Sequence, residues 1–158
     1  MLPRKFIHVG EIFVAINPNE IVTVLGSCVS VCLYDKVEMI GGMNHYLLPL
    51  WNGNGLESPK YGNISIPKMI ENMENIGCSR RNMEAKIFGG ANIHKSNSEG
   101  QMIGHKNVMI AKEILRQYMI PIKAEDTGGN NGRRIMMISN VNKIILKYVQ
   151  NEIMDSGV

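Results

Sequence analysis

Apolar and polar positions alternate along the first third of the chain with the period of two that marks half-buried strands. Residues 11–16 and 21–25 read as short strands parted by the turn signal Asn17-Pro18-Asn19. Residues 28–34 follow as a β-branched strand with Val29, Val31 and Leu33 on one face, and residues 40–48 as the next. Residues 49–60 carry glycine and proline punctuation without periodicity and read as a loop. The period then changes. Residues 63–76 place Ile66, Met69, Ile70 and Met73 at helical spacing, with Asn63 as the expected N-cap, Pro67 in the first turn and Gly77 as the stop. Residues 84–88 form a strand closed by Gly89-Gly90. Residues 104–118 form a helix with Val108, Ala111, Leu115 and Tyr118 on its apolar side. A strand at 122–125 ends before Gly128-Gly129, and a hairpin of residues 134–139 and 143–149 turns at Asn140-Val141-Asn142. Strands arriving in runs around two helices predict an α+β domain spanning residues 1–158, with a frayed tail from about residue 151.

Composition narrows the class. The chain has 158 residues, 44% of them hydrophobic and 20% charged, which is enough for one ordinary core. A net charge of +3, with no basic run longer than Arg80-Arg81, gives no nucleic-acid footprint. No apolar run is long enough to span a bilayer, and Met1 to Lys5 lacks the apolar stretch of a leader. Three cysteines without framework spacing point to a reduced, cytoplasmic protein. Cys28, Cys32 and His45 make an incomplete metal shell, so neither a metal nor a cofactor is expected.

The candidate chemistry lies in Gly26-Ser27-Cys28 and in Asn44-His45. If Tyr34 and Met39 flank a four-residue loop, the hairpin register sets Cys28 directly opposite His45 on one sheet face. A cysteine beside a base supports acyl transfer through a thioester, with backbone N–H groups of Gly26, Ser27 and Cys28 as oxyanion donors. A third group should orient the imidazole, and Thr23 and Asn44 carry suitable side chains. Cys32 and Cys78 read as ordinary small core residues. His8, His94 and His105 have no patterned partner. The pairs Gly89-Gly90 and Gly128-Gly129 read from their chemistry as tight turns. A cysteine peptidase or a transglutaminase would use cysteine and histidine in the same way, and the residues alone leave those alternatives open.

Several segments together resemble one family. They are Thr23 to Cys28, Val31 to Asp35, Gly41 to Pro49, Lys60-Tyr61-Gly62, Lys86 to Ala91, Ile103 to Asn107 and Ala124 to Asn130. In this order they resemble the CheD family of chemoreceptor glutamine deamidases. The resemblance implies a hydrolase acting on glutamines of methyl-accepting chemotaxis receptors, with some receptor methylesterase activity. It implies Cys28 as nucleophile, His45 as general base and acid, and Thr23 as the group orienting His45. It also favours Asn44, Gly89, Gly90, Gly128 and Gly129 as substrate-facing positions and implies a layered α/β/β/α fold similar to the cytotoxic necrotising factor type deamidases. A second role it suggests is binding and stimulating the CheC phosphatase.

Overall fold

The protein, described from a computed structural model over residues 1–93 and 98–149 with residues 98–102 as backbone only, is built on two β-sheets. His94 and the tail from residue 151 lie outside the described residues. The strands are β1 (Arg4–Phe6), β2 (Ile12–Ala15), β3 (Glu20–Leu25), β4 (Val29–Asp35), β5 (Ile40–Asn44), β6 (Met83–Gly89), β7 (Ile122–Thr127), β8 (Gly132–Ile138) and β9 (Lys143–Val149). The helices are α1 (Gly62–Asn75) and α2 (Ser98–Gln117). One sheet has the order β2-β5-β4-β6-β7, the other β1-β3-β8-β9. Among the described residues no helix is long and apolar enough to cross a membrane.

Strand β4 is central, and all seven of its residues are buried. Its alternation divides the core in two. Val29, Val31 and Leu33 face the helices and pack with Ile66, Met69, Ile70 and Met73 of α1. Cys32 and Tyr34 face the other sheet, where Ile21, Leu25, Ile135 and Met137 meet them. Each large aliphatic side chain so buried contributes about 1.5–3 kcal/mol.

The α+β expectation holds, but the layering differs. Helix α1 packs on β5 and β2, α2 on β6, β4 and β7, and the helices also pack on each other. The layers are therefore helices, sheet, sheet. The four-layer α/β/β/α arrangement is not formed, because both helices return to the same face of the five-stranded sheet. On the outer face of the second sheet, Phe6, Val24 and Ile145 are exposed.

The β4–β5 turn also departs from expectation. Asp35 pairs with Ile40, and Cys32 pairs with Met43. The loop is thus residues 36–39, two positions of register away from the assumed pairing. The cause is local. The Asp35 carboxylate accepts from the N–H groups of Val37 and Glu38 at 2.9 Å each, so Asp35 opens the turn, and Met39 closes it at φ 57°. Burial alone would raise the Asp35 pKa. Three backbone donors, on Glu38, Ser79 and Val37, outweigh it and hold the carboxyl below its ordinary value.

The expected helix cap is replaced as well. Tyr61 sits at the N-cap of α1 without a side-chain bond, while Asn63 Oδ1 accepts from the Trp51 N–H at 2.8 Å. Residues 45–48 leave the strand, and Leu48 bridges to Tyr61 instead of continuing along β4. Strand β1 is too short and polar to register as a pattern, and it adds to the sheet only through parallel pairing with β3.

Candidate active site

A register slip of two residues preserves side-chain parity, so Cys28 and His45 still share a face. The ladder resumes at an isolated Val29–Tyr46 bridge, which places Ser30 opposite His45 and makes Cys28 its diagonal neighbour. Diagonal neighbours lie about 7–8 Å apart, within reach of a long side chain. Both residues point into the seam between the sheets, where Cys28 joins the inter-sheet core.

Thr23, on the facing sheet, completes the group. Its Oγ1 lies 2.7 Å from His45 Nδ1 and 2.8 Å from the Ile7 carbonyl oxygen. The carbonyl can only accept, so the single hydroxyl proton belongs to that bond. His45 must therefore donate through Nδ1–H to Thr23. This fixes the tautomer and leaves Nε2 unprotonated. Nε2 is buried and, among the described residues, has no hydrogen-bond partner. It is a free lone pair on the same inter-sheet face as the Cys28 thiol.

At rest both groups are neutral. Burial pushes the Cys28 thiol up to about 11, against a smaller lowering by its own backbone N–H. Burial, helped by repulsion from His8 and opposed by Glu11, pulls His45 down to about 4. A thiol near 11 has a thiolate fraction on the order of 10⁻⁴ at pH 7. Attack from this arrangement requires the proton to pass to Nε2 as the sulfur–carbon bond forms, with no standing thiolate–imidazolium pair.

The Gly26-Ser27-Cys28 turn connects β3 to β4. Its carbonyls are occupied: Gly26 accepts from Ala91 N–H at 3.0 Å, Cys28 from Gly90 N–H at 2.9 Å, and Ser27 from Asn107 Nδ2 at 3.0 Å. Among the described residues the N–H groups of Ser27 and Cys28 donate to no other residue. Neither N–H is thus committed to another described residue.

The remaining positions separate. Asn44 is fully buried on the helix side, bonded to Val31 N–H and to Ser65, and does not face a substrate. Its parity is opposite to that of His45. Gly89 and Gly90 are also buried. At Gly89, φ is +111° and an added Cβ would come within 2.2 Å of the Cys28 carbonyl oxygen. Gly89 backs the Cys28 turn from behind, while Gly90, buried against Val108 and Gly104, also borders the cleft lined by Gly128 and Gly129. Gly89→Ala is expected to cost about 3 kcal/mol, or roughly 10 °C in melting temperature. A melting temperature within about 2 °C of the unaltered protein would contradict the close packing.

Gly128 and Gly129 differ. They have positive φ and open space around them, and they line a cleft of about 310 Å³ with Asn92, His105 and Lys112. Arg133, only 3% exposed, holds this loop by donating to Asp126 Oδ1 at 2.8 Å and to the Gly128 carbonyl at 2.9 Å. Neither Arg133 nor Asn107 carries a pattern that marks it. Each sits beside a glycine-containing segment; the contacts of Asn107 are 60 to 80 positions away, and those of Arg133 lie across a loop or 44 positions away. Among the described residues no group of three or more His, Cys, Asp or Glu is placed to hold a metal ion.

The family model described as CheD chemotactic sensory transduction matches residues 47–148. That span begins just after His45, but whole-chain relatives extend further. A probable chemoreceptor glutamine deamidase CheD of Sulfurimonas denitrificans is 56% identical over 148 residues, covering 93% of this chain and 95% of its own. One from Trichlorobacter lovleyi is 43% identical, covering 90% and 89%. One from Methanococcus vannielii is 36% identical, covering 83% and 86%. With matches of this length and identity, the chain belongs to the CheD family.

Proposed function

We propose that this protein is a chemoreceptor glutamine deamidase, turning glutamine side chains of methyl-accepting chemotaxis receptors into glutamate with release of ammonia. The observation that carries the reading is the oriented lone pair of His45 Nε2 on the same inter-sheet face as the buried Cys28 thiol, in a chain that is similar over most of its length to proteins named for this activity.

Cys28 Sγ attacks the carboxamide carbon as its proton moves to His45 Nε2. The carbonyl oxygen becomes an oxyanion facing the free N–H groups of Ser27 and Cys28, with Gly26 shaping the turn. His45 returns the proton to the nitrogen, the carbon–nitrogen bond breaks, and ammonia leaves. Water then attacks the Cys28 thioester, giving its proton to His45. The carbon–sulfur bond breaks, and the thiol and a carboxylic acid result. Thr23 holds the imidazole in its working tautomer throughout. The exposed Gly128-Gly129 loop is the part of the surrounding surface open enough to take a receptor helix. A methyl ester presents the same acyl carbon, so receptor methylesterase activity follows from the same steps. Receptor cytoplasmic domains as substrate, a cytoplasmic location and a CheC partner belong to this reading through the family likeness.

The test uses receptor cytoplasmic fragments. Mass spectrometry should find glutamine converted to glutamate, and a brief hydroxylamine quench should release an acyl hydroxamate from Cys28. Absence of conversion would overturn the activity. Conversion with the acyl group trapped on another residue would overturn the role of Cys28.

A further inference from the structure

Two buried asparagines interrupt the β4–β5 ladder on either side of its last backbone rung. With Val29 and Tyr46 exchanging N–H···O bonds at 3.1 and 3.0 Å, antiparallel geometry calls for like rungs two residues away, at Val31–Asn44 and at Ser27–Leu48. The second is not made, and the first is only half made by backbone, since the Cys32–Met43 pairing keeps the Asn44 N–H on the Val31 carbonyl. The Val31 N–H donates to Asn44 Oδ1 at 2.7 Å, while Asn44 Nδ2 donates to Ser65 Oγ of α1 at 2.9 Å. At the other side Leu48 has turned away toward Tyr61. There Asn107 of α2 bridges the gap. Its Nδ2 donates to the carbonyls of Ser27 at 3.0 Å and Leu47 at 2.9 Å, and its own carbonyl accepts from Tyr46 Oη.

We propose that Asn44 and Asn107 are positioning residues of the Cys28–His45 site, each putting a carboxamide where the ladder would have a backbone bond and so holding the diagonal placement of the thiol and the imidazole. Asn107 ties the residue before Cys28 to the residues after His45, so the two approach along separate segments that meet at one helix side chain. Asn44 puts its side-chain Oδ1 in place of its own carbonyl at the Val31 N–H, and on the opposite edge the His45 backbone pairs with residues 10–11, Gly10 N–H to His45 carbonyl at 2.8 Å and His45 N–H to Glu11 carbonyl at 3.2 Å.

The bond polarities make the two positions respond differently to one substitution. Asn107 faces two carbonyl oxygens with its NH₂, so aspartate would meet acceptors with acceptors. Asn44 meets one N–H and one hydroxyl that can rotate to donate, so aspartate can reproduce both bonds.

The proposal rests on the Cys28–His45 reading, and its experiment separates the two. Cys28 and Cys32 are labelled with iodoacetamide in the full chain and followed site by site by mass spectrometry; Cys32, fully buried, reports global opening. Asn107→Asp is expected to raise Cys28 labelling about tenfold with Cys32 unchanged. It should lower kcat for glutamine conversion about 100-fold with KM within about threefold. Asn44→Ala is expected to act likewise, and Asn44→Asp to restore most of the loss. If Cys28 and Cys32 open together in both Asn107→Asp and the smaller change Asn107→Ser, Asn107 only holds the fold and the proposal fails. It fails equally if neither kcat nor Cys28 labelling moves. Labelling does not depend on turnover, so an unaltered protein that converts no glutamine removes the functional reading and leaves this result standing.

Discussion

Replacing His45 with glutamine is expected to lower kcat about 10³-fold and also to make the protein harder to unfold with acid. The first effect follows from losing the general base, which contributes typically 10²–10⁴-fold. It should be large here because burial holds the Cys28 thiol up at about 11, so nothing else supplies thiolate at neutral pH. The second effect follows from linkage. His45 is held down at about 4 in the folded protein, against an ordinary value of 6.5. Between these values the unfolded chain binds the proton and the folded chain does not, so stability falls as pH drops from about 6.5 toward 4. With His45 only 5% exposed, the shift corresponds to about 3 kcal/mol lost across that window. Glutamine cannot titrate and removes this slope. Urea unfolding at pH 7, 5.5 and 4.5 measures it; parallel curves for the two proteins would show that the imidazole is not buried neutral. The unaltered enzyme should show kcat/KM rising through about pH 4 and then level across neutrality. A bell centred near pH 7 would point instead to a preformed ion pair.

The placement of Cys28 and His45 on one face was legible because residues on neighbouring strands constrain each other through parity. The assumed register was displaced by two, since Asp35 rather than Tyr34 opens the turn, yet a shift of two leaves every side chain on its face. A shift of one would have destroyed the pairing. The helical stripe at Ile66, Met69, Ile70 and Met73 was legible for a similar reason: burial on one face leaves a periodic record. What left no record was anything decided between distant segments. Adjacent strand residues point to opposite faces, so parity excludes Asn44 from orienting His45, but the choice of Thr23 depends on which sheet faces which. The Gly89-Gly90 pair looks like a turn in sequence. Only the approach of the Cys28 carbonyl shows that Gly89 is a backing surface. The placement of both helices on one sheet is likewise set by tertiary packing, since each helix shows one apolar side whichever sheet receives it.

Thr23→Val tests the tautomer directly. Valine matches threonine in shape but has no hydroxyl, so the Ile7 carbonyl and His45 Nδ1–H both lose their partner in a site where Thr23 is 1% exposed. Stability should fall by about 2 kcal/mol, within the range for unpaired buried polar groups. A larger consequence is expected in rate. With no acceptor at Nδ1 the ring proton is free to move to Nε2, which blocks the lone pair that must take the thiol proton, and kcat should fall about 10²-fold with KM nearly unchanged. Thr23→Ser keeps the hydroxyl and loses one methyl, so it should restore the rate at a stability cost of about 0.8 kcal/mol. Nitrogen-15 chemical shifts of His45 give a readout that a loss of packing would not move. The unaltered protein should show the Nδ1–H tautomer and Thr23→Val a mixture. Finding the proton on Nε2 in the unaltered protein would mean that Thr23 donates to the ring, that the Ile7 carbonyl goes unbonded, and that His45 is not the base.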